Sequence, residues 1–120
     1  MADELLALVL EGKKTATCGA LRDYAPGGEQ MPKVGDRAIL LDGKGRQRAL
    51  IETVEVAITR FSDVEADFAF DEGEGDRSLD FWRDGHRAFF ERNGGFSPDM
   101  ELVCERFALV EVFGSSGANP

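Results

Sequence analysis

The chain has no apolar run long enough to cross a membrane, and basic residues are scarce in it. A helix that spans a bilayer needs about 20 consecutive apolar residues, so the sequence predicts a soluble protein without a membrane partner. Asp3 and Glu4 stand where a secretory signal would carry basic residues, which predicts a cytoplasmic protein without a signal peptide. The net charge of −9 argues against the broad basic surface that grips long nucleic acid. A small nucleoside, or a short RNA held at a local basic mouth, remains compatible with this charge.

Cysteine is also scarce, with Cys18 and Cys104 as the only two. They are far apart in the sequence, lie in strand-like segments and have no partners at metal-ligand spacing. We therefore expect two buried thiols rather than a disulfide. The carboxylates are scattered and could bind a cation only nonspecifically, so the sequence predicts a site without a metal or cofactor.

The order of sequence patterns predicts an α+β fold in one domain over residues 1–113, with a disordered tail over 114–120. The acidic segment 62–80 has eight carboxylates and one arginine, and we expect a solvated loop or a short exposed helix there. The other predicted elements are a helix from about Asp3 to a cap at Gly12, strands over 15–20, 37–41, 47–61 and 101–113, and a helix from about Leu79 to Gly94.

Three of these elements carry more specific expectations. The strand over 37–41 is expected to be buried, and the long strand over 47–61 is expected to bend around a barrel. The second helix can begin at a cap on Asp76 or Ser78. Its inner stripe is predicted to comprise Leu79, Trp82, His86, Phe89 and Phe90, with His86 a core or rim histidine rather than a catalytic one.

The segment that follows the first helix carries the most informative pattern, Gly12-Lys13-Lys14-Thr15-Ala16-Thr17. Lysines are favoured at a helix C-terminus for electrostatic reasons alone, which accounts for Lys13 without a functional role. That explanation does not cover Thr17, which lies three residues beyond Lys14 at the start of a predicted strand. Residues three apart in a regular strand point to opposite faces, so Lys14 and Thr17 converge only if Lys14 lies in the turn or a bulge intervenes.

These residues resemble the ASCH domain (ASC-1 homology) of the PUA-like superfamily, in particular its small bacterial stand-alone branch. Gly12, Lys14 and Thr17 match three of the four fixed positions of the family motif Gly-x-Lys-x-x-Thr-x-Arg, and Gly19 stands at the arginine position. Further similarity covers nearly the whole chain, in Lys33-Val34-Gly35-Asp36, in Glu72-Gly73-Glu74-Gly75-Asp76, in the Leu79–Phe90 helix pattern and in Val103-Cys104-Glu105-Arg106-Phe107. Family members usually carry a first strand before this helix, so we expect an internal start site or a pocket that lacks one wall.

The resemblance implies a small mixed β-barrel flanked by helices, with a cleft at the barrel mouth. It also implies either hydrolysis of an N4-acylcytidine-type amide in a modified pyrimidine nucleoside or short RNA, or RNA binding or ribonuclease activity. The amidohydrolase interpretation transfers catalytic roles to Lys14, Thr17 and Glu74, with Glu72 as a competitor for the acid. A cleft that has lost its ligand, in a structural or partner-binding domain, is a third interpretation.

Chemistry constrains how such a trio would work. A threonine hydroxyl needs a base to become a nucleophile, and lysine serves as that base only if burial favours the neutral amine. A neighbouring carboxylate favours the ammonium, so Glu74 is the alternative base or the leaving-group acid.

Further ligand contacts are predicted for Arg22, Tyr24 and Trp82, since a cation and aromatic rings near the motif could hold a base. Lysines and arginines also cluster around the predicted hairpin, and they form either ordinary interspersed surface charge or a short strip that faces RNA. They are Lys33, Arg37, Lys44, Arg46 and Arg48.

Overall fold

The computed structural model describes residues 3–24 and 30–113 of the 120-residue chain. The predicted tail over 114–120, and residues 25–29 between the first two predicted strands, lie outside the described residues. No described helix is both long enough and apolar enough to cross a bilayer. The elements are α1 (Asp3–Leu10), β1 (Ala16–Ala20), β2 (Arg37–Leu41), β3 (Gln47–Arg60), α2 (Ala66–Glu72), α3 (Leu79–Arg92) and β4 (Glu101–Val112), with 3₁₀ turns at Leu21–Tyr24 and Phe61–Asp63.

The four strands form one antiparallel sheet in the order β1-β4-β3-β2, curled into a half-barrel. The α+β class is therefore confirmed. The last strand, β4, is central and pairs with both β1 and β3. In β3 the pairing register shifts between Leu50 and Ile51 and again between Thr53 and Glu55. Such bulges add a residue to one strand and bend it, so they account for the predicted curvature of the long strand.

The core lies mainly where α2 and α3 cover the β1–β4 half of the sheet. Its buried members include Trp82 and Phe90 of α3, Phe68 of α2 and Leu102 of β4. Leu6 and Val9 of α1, and Val103 and Phe107 of β4, are buried outside this cluster. Because neighbouring residues of a strand alternate between faces, β4 buries side chains on both sides of the sheet.

The expectation that residues 37–41 form a buried strand is wrong in its burial, although the strand itself is present. β2 is an edge strand that pairs only with β3 among the described strands, and Ile39 and Leu41 are exposed. The apolar run resembles a buried strand, but α2 and α3 cover the opposite half of the sheet.

The acidic segment is more structured than expected, because α2 buries Phe68, Ala69 and Glu72. These three positions share one helix face by their three- and four-residue spacing. In α3 the Ser78 side chain accepts a hydrogen bond from the Phe81 N–H, as predicted for a cap. Phe89 is wrongly predicted as a core residue, since it is 49% exposed.

Candidate functional site

The turn after α1 directs Lys14 into the protein. Gly12 has φ of +80°, the left-handed conformation that ends a helix, and both Lys13 and Lys14 donate backbone hydrogen bonds to the Leu8 carbonyl. Lys14 therefore lies in the turn, two residues before β1 begins at Ala16. This is the condition under which the side chains of Lys14 and Thr17 can converge.

Lys14 is buried, with 3% of its side chain exposed, and its ammonium group is surrounded by oxygen atoms. Nζ donates to the carbonyls of Ala16 at 3.0 Å and Glu72 at 3.3 Å. It also contacts the carboxylates of Glu74 at 3.2 Å and Glu72 at 3.4 Å. Each of these partners is a hydrogen-bond acceptor, so the arrangement suits a charged ammonium rather than a neutral amine with a lone pair.

The two carboxylates that contact Lys14 differ in their surroundings. Glu72 is 3% exposed, and its second oxygen, Oε2, accepts a 2.8 Å hydrogen bond from Trp82 Nε1. The Glu74 side chain is 39% exposed and faces the pocket. Glu72 thus holds the buried ammonium in place, whereas Glu74 remains accessible to a ligand.

Gly73 allows this close approach between α2 and the turn. It has φ of +77°, and a Cβ atom built there would lie 2.4 Å from the Lys13 carbonyl oxygen. The Thr15 N–H donates to the Asp71 carbonyl at 2.7 Å, and Arg77 donates to the Lys13 carbonyl at 3.2 Å. The segment that carries Lys14 is therefore docked against the end of α2 by its backbone.

Lys14, Thr17 and Glu74 all line one cavity of roughly 480 Å³ between β1, α2 and α3. Of the three residues that the motif singles out, Lys14 and Glu74 are in direct contact at 3.2 Å, and Thr17 lines the same cavity. Aromatic side chains form much of its wall, among them Phe81, Trp82 and Phe89. Phe81 and Phe89 are about half exposed, at 48% and 49%, so apolar surface is accessible at this cavity.

Glu72 is the acidic residue that the motif comparison left as second choice. Its Oε1 atom accepts a hydrogen bond from Lys14 Nζ, and its Oε2 atom accepts one from Trp82 Nε1. A sequence signal for it exists, since Glu72 lies on the same helix face as Phe68 and Ala69. A carboxylate on a buried helix face requires a partner, and Lys14 is that partner.

The three predicted contact residues are distributed differently. Trp82 lines the cavity but is 3% exposed and stacks on His86, with ring centroids 4.2 Å apart. Arg22 and Tyr24 line a separate cavity of about 540 Å³. The structure therefore does not bring these two residues to the Lys14 pocket, and their ligand contacts stay predictions.

Arg22 lies against the segment that follows α3, and Tyr24 lies beside Gly19 of β1. The Arg22 guanidinium donates to the carbonyls of Asn93 at 3.0 Å and Gly95 at 2.8 Å, beyond the C-terminus of α3. Tyr24 Oη lies 3.1 Å from where a Cβ atom would stand at Gly19. Tyr24 thus lies beside the position at which the family motif carries an arginine.

The basic side chains near the hairpin are partly neutralised by acids. Arg37 Nε donates to Glu52 at 2.9 Å, and Arg46 and Arg48 approach Asp42 Oδ2 at 2.8 Å and 3.6 Å. Asp42 also accepts backbone hydrogen bonds from Lys44 and Arg46. These contacts lower the pKa of Asp42 from 3.8 to about 2, and the hydrogen bond from the Arg46 backbone N–H contributes most.

The two cysteines are free thiols, as predicted, and they are register partners on β1 and β4. Cys104 is buried as expected, whereas Cys18 is only partly buried. Burial raises the pKa of Cys104 to about 11, and burial followed by the charge of Glu72 raises the pKa of Cys18 well above its ordinary value. The sequence gives Cys18 no metal-ligating neighbours, but the fold puts Glu72 and His86 beside it. The expectation of a metal-free site stays a prediction.

This combination, a curled antiparallel sheet with helices around a pocket of charged and aromatic residues, defines a small α+β domain. The ASCH domain family model matches residues 1–111. The chain is 37% identical to the ASCH domain from Lactobacillus crispatus JV V101, with a TM-score of 0.83 over 89% of this chain and 70% of that chain. It is also 37% identical to protein EF3133 from Enterococcus faecalis V583, of the DUF984 family, with a TM-score of 0.79 over 98% and 77% of the two chains.

The chain therefore belongs to the ASCH domain family, and the predicted resemblance and PUA-like fold are confirmed. Among curated proteins, none matches it significantly. Family membership alone assigns no activity, so the chemistry must be argued from the pocket itself.

Proposed function

We propose that this protein hydrolyses the exocyclic amide of an N4-acylated cytidine, as a free nucleoside or in a short RNA. The observation that carries the proposal is that Lys14, Thr17 and Glu74 line one cavity. An amine, a hydroxyl and an accessible carboxylate together supply the groups that amide hydrolysis needs.

The contacts of Lys14 favour one division of roles. Two carboxylates and two carbonyls around Nζ support an ammonium, which has no lone pair to accept a proton. Glu74 is then the base, because it is the accessible carboxylate of the pair. Lys14 supplies positive charge, which stabilises negative charge on a reacting carbonyl oxygen.

The proposed reaction has two halves. Thr17 Oγ attacks the acyl carbon while Glu74 takes the hydroxyl proton, and the carbonyl oxygen becomes an oxyanion near Lys14. The carbon–nitrogen bond then breaks, and the proton on Glu74 passes to N4, which leaves as the amino group of cytidine. Water next attacks the acyl-threonine, giving a proton to Glu74. The ester bond breaks, Thr17 regains a proton, and the carboxylic acid is released.

The size and lining of the cavity support a small aromatic substrate. Its volume of roughly 480 Å³ falls within the range of about 300–1,000 Å³ that is usual for small-molecule sites. Phe81 and Phe89 offer half-exposed rings on which a flat base can stack. The net charge of −9 and the arginine–acid pairs on the hairpin favour this substrate over long RNA.

Release of cytidine from N4-acetylcytidine, followed by chromatography, tests the proposal. We expect turnover by the wild-type protein and losses of at least about 100-fold in Lys14→Ala, Thr17→Val and Glu74→Gln. Lys13→Ala is the matched control, because Lys13 is the adjacent lysine but is 55% exposed and pairs with Glu11. Unchanged turnover in Lys14→Ala would refute the assigned roles.

The same protein samples test the alternative of an RNA-binding module or ribonuclease. Under our proposal, filter binding at low salt retains little unmodified RNA, and gel analysis finds no cleavage. Tight, salt-sensitive retention of RNA by a wild type that releases no cytidine would overturn the hydrolase and favour the RNA-binding alternative.

A further inference from the structure

Three side chains with metal-ligating atoms meet at the base of the pocket. Cys18 comes from β1, Glu72 from the end of α2 and His86 from α3. One ligand atom from each, the thiol sulfur, a carboxylate oxygen and a ring nitrogen, lies within 4.8 Å of the other two. Among the described residues, this is the group of histidine, cysteine and acidic side chains with a geometry suited to a metal ion.

The hydrogen bond at His86 defines which ring nitrogen is available. Nδ1 lies 2.9 Å from the Trp82 carbonyl oxygen, which can only accept, so Nδ1 carries a proton. In the neutral ring, Nε2 then has a free lone pair, and it lies 3.7 Å from Glu72 Oε2. A metal ion between these two atoms would be attracted to both the ring nitrogen and the carboxylate oxygen.

The spacing matches a tetrahedral site. Bonds of about 2.0–2.3 Å from zinc to nitrogen, oxygen and sulfur put neighbouring ligands about 3.3–3.7 Å apart. The Nε2–Oε2 separation of 3.7 Å already meets this value. The Cys18 sulfur lies within 4.8 Å of one ring nitrogen of His86 and one carboxylate oxygen of Glu72, so small side-chain rotations would bring it to the same spacing.

Trp82 orients two of the three ligands. Its carbonyl accepts from His86 Nδ1, and its indole Nε1 donates to Glu72 Oε2 at 2.8 Å. Its ring also stacks on the imidazole at 4.2 Å. Hydrogen bonds of this kind, which fix the tautomer of a histidine and the direction of a carboxylate, typically surround protein metal ligands.

The charges around the three ligand side chains also favour a divalent metal ion. Glu72 and Glu74 carry two negative charges near Lys14, which carries one positive charge. A divalent ion that displaces the Cys18 proton adds two positive charges and one negative charge. The group of Lys14, Glu72, Glu74, Cys18 and the ion is then neutral, which favours its burial.

We propose that Cys18 Sγ, Glu72 and His86 Nε2 bind a zinc ion, with a fourth coordination position open to the pocket. Thiolate, imidazole and carboxylate ligands with one open position are typical of zinc. Binding releases the thiol proton to solvent. The site does not depend on the proposed hydrolase activity, and it is the alternative to the predicted metal-free site.

Cobalt titration of the wild-type protein under reducing, anaerobic conditions tests the site directly. We expect a thiolate-to-cobalt charge-transfer band and strong visible bands of a tetrahedral ion, at one cobalt per chain and reversed by zinc. Cys18→Ser removes the charge-transfer band, and His86→Gln lowers zinc affinity at least about 100-fold. Cys104→Ala and Glu74→Gln are matched controls that keep the band.

The wild-type spectrum is interpretable even if a ligand variant fails to fold. A featureless spectrum with excess cobalt would overturn the site, as would a band that persists without Cys18 or disappears only without Cys104. A proton detected on His86 Nε2 by NMR in the presence of excess zinc would also overturn it. Cytidine release is measured separately, with and without a chelator, so failure of the hydrolase leaves zinc binding intact and the reverse also holds.

Discussion

Gly73 lies against the Lys13 carbonyl, with its backbone in the left-handed conformation and no room for a side chain. The contact joins the end of α2 to the turn that follows α1. It brings Glu72 and Glu74 to either side of Lys14 Nζ. A backbone approach, rather than the side chains alone, therefore sets the distances within the pocket.

Gly73→Ala is expected to destabilise the protein by about 2–4 kcal/mol, because the left-handed φ and the backbone contact both penalise a Cβ atom. Gly12→Ala is the control for the conformation alone, since Gly12 has φ of +80° and nothing within 4 Å of the built Cβ. We expect a loss of about 1–2 kcal/mol there. Urea unfolding measures both. Equal losses would contradict the argument from close approach.

Lys14→Met is expected to cost about 3–5 kcal/mol of folding free energy, because it leaves Glu72 buried without its cation. Adding Glu72→Gln should recover part of this loss, since the remaining charge is then removed. Lys13→Met is the matched control and should change stability by less than about 0.5 kcal/mol. A double-mutant cycle by denaturant unfolding measures the coupling, and strictly additive losses would refute it.

Asp42 should make stability depend on pH in acid. Its pKa is about 2 in the folded protein and 3.8 as the ordinary value, so folding favours the carboxylate. The contribution is therefore complete above about pH 4 and is lost as the pH falls towards 2. Asp42→Asn should be less stable at neutral pH and should show a flatter stability profile between pH 4 and 2. Parallel profiles in the two proteins would exclude this role.

Both thiols should react slowly with iodoacetamide in the folded protein. With a pKa of about 11 for Cys104, only about one thousandth of it is thiolate at pH 8. We expect the rate to rise about tenfold per pH unit up to pH 10, and unfolding in urea to accelerate it strongly. Mass spectrometry of labelled peptides separates Cys18 from Cys104. Rapid labelling of either thiol at pH 7, in protein shown to be folded, would contradict their burial.

Local patterns predict the positions of the helices and strands well. Gly12 ends α1, Ser78 caps α3, and alternating apolar residues mark β3, because each of these signals depends on nearby residues only. The exposure of β2 and Phe89 is not determined by nearby residues. It depends on where α2 and α3 pack against the sheet, and their amino-acid patterns do not contain that information.

The candidate site shows the same division. The motif identifies Lys14 and Thr17, and the acidic segment supplies Glu74, but the pairing of Lys14 with Glu72 spans 58 residues. The proximity of Cys18 to His86 likewise cannot be predicted from their sequence spacing, because they lie on separate elements. Arg22 and Tyr24 follow the motif directly in sequence, yet the turn after β1 carries them to another cavity.

The place of β4 in the sheet has a consequence for biosynthesis. β1 carries Thr17 and Cys18, and its only sheet partner among the described strands is β4, the last described element in chain order. A nascent chain that ends before residue 101 contains α2 and α3 but lacks β4, the strand with which β1 pairs. The pocket lined by β1 therefore requires residues 101–112, and affinity for a pocket ligand would report the pairing of β1 with β4.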